Sequence, residues 1–170
     1  MNFFSGFCLE GEELLFENFI KKGDYCVAGF SKGAIDAFSY VLDTRRRVDT
    51  LLLFSPAFFQ NKDETFKRAQ LHYFRKDEKR YIENFLKNCS YGSDIDLSPF
   101  FKKEDEKELK RLLNFTWRES ELERLKKSGV LIEVFLGGRD KIIDSAVARD
   151  FFKPYASVYF IKEGGHLLNG

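Results

Sequence analysis

The stretch that most restricts this chain is Gly29-Phe30-Ser31-Lys32-Gly33, because it stands between an apolar run, Tyr25 to Ala28, and a helical one, Ala34 to Leu42. A serine at a sharp strand-to-helix turn has its hydroxyl pushed out at the end of a sheet. The flanking glycines remove Cβ atoms that would collide with neighbouring backbone. The helix N-terminus at the turn favours negative charge developing there. Glycine and serine also serve such turns for packing alone, so the pentapeptide needs partners elsewhere in the chain.

Two other segments supply an acid and a base. Val130 to Leu136 is β-branched and aromatic and opens through Gly137 and Gly138 to Arg139 and Asp140, as a buried strand entering a tight loop does. Asp140 could instead cap the helix that begins near Asp144, but Asp144 or Ser145 suits that position better. Ser157 to Ile161 is a second such run, followed by Lys162-Glu163-Gly164-Gly165-His166. The chain has two histidines, and His72 lies in a charged helical stretch. His166, unless it is simply a surface histidine, is therefore the well-placed base. Imidazole, with an ordinary pKa near ~6.5, can take a proton from serine at neutral pH, and an aspartate would fix its tautomer.

Between the strands the pattern predicts a short strand at 1 to 4, a helix around 10 to 21, a strand at 25 to 29 and a helix from 32 to 43. Thr50 to Phe54 is a continuous apolar run of the kind found in parallel strands covered on both faces, and Ser55-Pro56-Ala57 ends it. From 58 to 127 the chain turns charged and helical: Phe66, Ala69, Tyr73 and Phe74 recur at helical spacing, as do Leu109, Leu112 and Leu113. Strands resume at Val130 and Val158 around a helix near 144 to 153. The whole reads as a mostly parallel α/β sheet, built from 1–57 and 128–170, with a helical lid inserted at 58–127.

Composition removes several function classes. A length of 170 residues and a net charge of +1 fit one compact domain with a real core and give no general pull on nucleic acid. The twenty phenylalanines imply an aromatic core, or a bias of the source genome. No apolar stretch approaches the ~18 residues that span a bilayer, and Met1-Asn2-Phe3-Phe4 lacks the basic start of a signal peptide, so the expectation is a cytoplasmic protein without membrane contact. Cys8, Cys26 and Cys89 form neither a disulfide framework nor a metal-ligand spacing, and no glycine-rich phosphate loop is present. No cofactor or metal is expected.

The order Ser31, Asp140, His166, each after a strand, with Leu53-Phe54-Ser55-Pro56-Ala57 and the terminal Gly164-Gly165-His166, resembles the α/β-hydrolase superfamily over essentially the whole chain. The resemblance implies a minimal α/β-hydrolase fold with Ser31, Asp140 and His166 as the catalytic triad. It also implies an oxyanion hole made by the N–H of Lys32 and by a second N–H in the loop after the first strand. There Ser5-Gly6-Phe7 is similar to a cut-down His-Gly-aromatic loop, which makes Phe7 the donor and Cys8 the fallback. Small size and a helical lid resemble the short BioV-type carboxylesterases of Helicobacter and Campylobacter relatives, which demethylate pimeloyl-acyl-carrier-protein methyl ester in biotin synthesis.

That likeness implies an acidic carrier protein as partner, with Arg68, Arg75, Lys76 and Arg80 as candidate contacts. A second basic stretch, Lys102 to Arg111, is likewise interleaved with acids, the pattern of a solvated helix face. A general short-chain esterase or thioesterase, and a non-catalytic hydrolase-like binding protein, are the alternatives. Departures from the superfamily pattern are the missing first strands, Ser5 in place of the loop histidine, and a chain that stops four residues after His166. A truncated sheet leaves an edge that a second copy could pair, so either a monomer or a homodimer is expected.

Overall fold

The computed structural model describes residues 1–20 and 23–169. Five strands, β1 (Asn2–Phe4), β2 (Cys26–Phe30), β3 (Thr50–Phe54), β4 (Leu131–Gly137) and β5 (Ser157–Ile161), form one sheet in chain order, and every pairing is parallel. Parallel neighbours require a crossover each time. The helices α1 (Lys32–Asp43) and α6 (Ser145–Phe152) make two of these crossovers. Four more, α2 (Glu64–Lys76), α3 (Glu78–Cys89), α4 (Glu106–Asn114) and α5 (Glu119–Lys127), fill the long crossover between β3 and β4.

The central strands β2 and β3 are covered on both faces, which is why they read as apolar runs, while β4 carries the buried Glu133 and β5 stays partly exposed. Val27, Leu51, Leu53, Ile132, Val134 and Leu136 join Ile35, Phe38, Ala148 and Phe152 of α1 and α6 in the larger hydrophobic core. Leu109, Leu112, Leu113, Leu122 and Leu125 of α4 and α5 belong to the same core, so the long crossover packs into the sheet's own interior. The opposite face carries a cross-strand aromatic row, Phe30, Phe54, Phe135 and Tyr159, set by the register of β2 to β5. Phe16 stacks on Phe54 with ring centroids 4.7 Å apart, and Phe135 stacks on Tyr159 at 4.8 Å.

Phe16 belongs to a single 3-10 helix, Glu12–Phe16, where the sequence pattern predicts a helix over 10 to 21; residue 21 lies outside the described residues. Gly11, at φ 79°, starts this turn in the left-handed region. The Glu12 side chain, which a surface helix would give to solvent, is fully buried and hydrogen-bonded to the loop after β1. Tertiary contacts thus override an amphipathic helical pattern. Among the described residues no helix is long and apolar enough to cross a membrane.

Candidate active site

The carboxyl ends of β1, β2 and β4, and the loop after β5, meet at one edge of the sheet. Ser31 follows β2 directly, at φ 54° and ψ −114°, a conformation that L-residues rarely adopt. It is held there from both sides: its N–H donates to the Phe54 carbonyl at 2.9 Å, and its own carbonyl accepts from Ala57 at 3.0 Å. A Cβ on Gly29 would strike the Gly33 carbonyl, and one on Gly33 would strike the carbonyls of Phe4 and Ser5. Both glycines are thus dictated by close backbone approach.

His166 lies in a turn that Leu168 N–H closes by donating to the Gly165 carbonyl at 3.0 Å. Ser55, itself at φ 39°, donates its hydroxyl to the His166 carbonyl at 2.7 Å, and the Phe30 ring lies 5.0 Å from the imidazole. Nε2 of His166 is 3.0 Å from Ser31 Oγ, and Nδ1 is 2.7 Å from Asp140 Oδ2. The other carboxylate oxygen of Asp140 accepts from the N–H groups of Ile142 and Ile143, at 2.7 and 3.1 Å. Gly137 and Gly138 let the β4 loop approach the backbone of 162–165 closely enough for this meeting. The side chains of His166 and Asp140 are both fully buried. With Nδ1–H donating to Asp140, Nε2 is left to accept the Ser31 hydroxyl proton.

The N–H of Lys32 opens α1 beside the serine. The Lys32 side chain folds back among acids, at 2.8 Å from Glu104, 3.4 Å from Glu108 and 3.5 Å from Asp36. Burial works to lower its pKa, but the Glu104 bond and the charges of Asp36 and Glu108 outweigh it and raise the value. Phe7 follows β1 in the facing loop, and its ring packs edge-on against Phe85 of α3 at 5.5 Å. Next to it, Cys8 is fully buried, and burial pushes its thiol up to about 11, so it offers little thiolate near neutral pH. Its N–H donates to Glu104 Oε2 at 3.0 Å, whereas the Phe7 N–H meets no acceptor among the described residues.

A cavity of about 1000 Å³ lies between α2, α3 and α4 and the loop after β4. Phe59, Phe66, Phe85, Leu112 and Ile143 form its apolar part, while Lys76, Asp77, Arg80, Asp140 and Asp144 make the rest of its wall polar and charged. Ser31 and His166 do not line it; Ser31 is only 3% exposed. Of the four basic residues expected to face a partner, Lys76 and Arg80 are therefore at the cavity. Arg75 is instead paired with Glu106, and Arg68 is exposed on α2 away from the lining. Among the described residues no group of three His, Cys, Asp or Glu side chains is arranged to hold a metal ion.

No protein-family model and no curated protein matches the sequence. Solved structures do. A hydrolase from Oleispira antarctica superposes with a TM-score of 0.63 at 16% identity over 84% of this chain. The chain spans 58% of that hydrolase's length. MenH from S. aureus gives 0.58 at 14% identity, covering 96% of this chain and 85% of its own. BioG from Haemophilus influenzae gives 0.55 at 12% identity, covering 98% and 87%. What these proteins share with the chain is the α/β-hydrolase fold.

Proposed function

Starting from the α/β-hydrolase fold, we propose that the protein is a serine carboxylesterase whose substrate is the methyl ester of pimeloyl-acyl-carrier protein. The observation that carries the hydrolase reading is the continuous chain Ser31 Oγ, His166 Nε2, His166 Nδ1, Asp140 Oδ2, with 3.0 and 2.7 Å links inside a buried site. Ser31 attacks the ester carbonyl as His166 takes its proton. The oxyanion is met by the N–H groups of Lys32 and Phe7, and His166 returns the proton to departing methanol. Water, activated by the same imidazole, then cleaves the acyl-serine and leaves a free carboxylate.

The finer substrate rests on two supports: the sequence resemblance to short BioV-type esterases, and a partly apolar cavity beside Asp140 with Lys76 and Arg80 on its wall. An acyl chain suits the aromatic and aliphatic part of that lining, and the cations suit an acidic carrier approaching from outside. The fold likeness to BioG covers 98% of this chain and 87% of that one. The pairing of Arg75 with Glu106 favours the second reading, a short-chain esterase or thioesterase indifferent to a carrier, because it withdraws one cation from the expected contact.

Mass spectrometry of pimeloyl-carrier-protein methyl ester incubated with the protein, with Ser31→Ala as control, separates these readings. Loss of the methyl group with the thioester intact, in the wild type alone, is expected. An unchanged carrier substrate beside rapid, Ser31-dependent cleavage of simple esters selects the second. Neither reaction in a folded wild type removes the serine-hydrolase reading.

A further inference from the structure

Three successive amides open the loop after β1, and the outer two are engaged by carboxylates. Gly6 N–H donates to Glu12 Oε1 at 2.6 Å and Cys8 N–H to Glu104 Oε2 at 3.0 Å. Between them, the Phe7 N–H meets no acceptor among the described residues. We propose that Glu12 and Glu104 are positioning residues of the oxyanion hole, holding this loop so that its middle amide is presented to the reacting carbonyl. The inference rests on the serine-hydrolase reading.

Glu104 ties together the two segments that such a hole needs. One oxygen holds Cys8, beside Phe7; the other accepts from Lys32 Nζ at 2.8 Å, on the residue whose own N–H is the second donor. The bond to Lys32 also neutralises a negative charge that would otherwise oppose an oxyanion nearby. Cys8 sits at φ 59°, so the loop is bent into a conformation it would not keep unaided.

The segment carrying Glu104 is itself zipped to this loop. Glu10 N–H donates to the Phe100 carbonyl at 2.8 Å, Lys102 N–H donates to the Cys8 carbonyl at 3.0 Å, and Leu9 bridges Phe101 in antiparallel fashion. Glu12, fully buried, performs the matching service from the other side. The long crossover between β3 and β4 therefore reaches into the site through Glu104, ahead of α4.

The test uses the whole 170-residue chain with p-nitrophenyl butyrate as substrate and a trifluoromethyl ketone as inhibitor, whose adduct with Ser31 carries an oxyanion. Losing the order imposed on one oxyanion donor should lower kcat for Glu104→Ala by roughly 10- to 100-fold, with KM nearly unchanged. Affinity for the ketone should fall in proportion. Glu104→Gln, whose amide oxygen can still accept from Cys8, should recover most of the loss.

A folded Glu104→Ala with wild-type kcat, or with its whole deficit in KM, overturns the inference. If Glu104→Ala does not fold, Lys32→Met cuts the same tether from its other end. There a kcat deficit with retained KM supports the inference and an unchanged kcat overturns it. A wild type lacking Ser31-dependent turnover would instead remove the hydrolase reading itself, a result distinct from an active wild type and an indifferent Glu104→Ala.

Discussion

Ser31 is held in an unfavourable backbone conformation, so the residues around it must make any relaxation costlier than the strain. Gly33 shows how little room remains. Its α-hydrogen faces the end of β1, where a methyl group would run into the Phe4 carbonyl. We expect Gly33→Ala to destabilise the protein by roughly 1–3 kcal/mol or more, read from the denaturant midpoint, since backbone on both sides must shift. A midpoint equal to wild type would show that the turn is looser than this packing implies. Glu12 makes a prediction of a different kind. Burial raises its pKa above the ordinary 4.5, against the pull of the Gly6 N–H. A raised folded value means that the folded chain holds the proton more tightly than the unfolded one. Glu12's contribution is then fully present below 4.5 and is lost as pH rises through the folded value. Glu12→Gln cannot ionise and escapes that loss. Its stability relative to wild type should climb as pH rises above 4.5, measured by denaturation at several pH values. A flat difference would count against a buried, ionising Glu12.

Among the elements, those whose order comes from one-dimensional patterning were readable in the sequence. Thr50–Phe54 and Ser157–Ile161 form strands over the expected residues, and α1 starts at Lys32 because the turn at Ser31 leaves no other beginning. Ser31, Asp140 and His166 could be picked out because each follows such a run. The 3-10 helix Glu12–Phe16 was not readable, since its shape is set by Glu12 turning inward to Gly6 and by Phe16 stacking on Phe54. Glu104 was equally hidden, because a bond between side chain and backbone across 96 residues leaves no periodic trace. Helix capping is the local rule that does operate in the long crossover. Asp63 accepts from Phe66 N–H at 2.8 Å, Asp77 from Arg80 and Asp105 from Glu108, so α2, α3 and α4 each begin on an aspartate. Asp63→Ala should cost about 1 kcal/mol, seen as a lower denaturation midpoint with an unchanged m-value. No change would mean that packing alone fixes where α2 starts.

At the scale of the molecule, the question is whether the helices between β3 and β4 form a separate unit or part of one core. Trp117, the chain's single tryptophan, sits at the junction. Its ring lies 5.0 Å from Phe38 of α1 and 5.0 Å from Phe152 of α6. Its indole N–H donates to the Ala57 carbonyl at 2.9 Å, and its backbone N–H donates to Gln60 at 2.7 Å. Leu109, Leu112 and Leu122 from the same crossover lie in the core that the sheet and α1 share. Unfolding these helices alone would strip cover from α1 and α6, leaving buried aromatic surface exposed on the remainder. We therefore expect a single cooperative transition in denaturant, with Trp117 fluorescence and far-UV circular dichroism changing together. A fluorescence change that clearly precedes the loss of helix and sheet signal would show that the crossover melts first. Such independence would also bear on the site, because Glu104 lies in this crossover and would leave Cys8 and Lys32 as it opened. The expected coincidence instead makes the loop after β1, held by Glu104, as stable as the core itself, so that under the proposed reading a substrate would reach the 3%-exposed Ser31 through local side-chain movement rather than by release of the whole insertion.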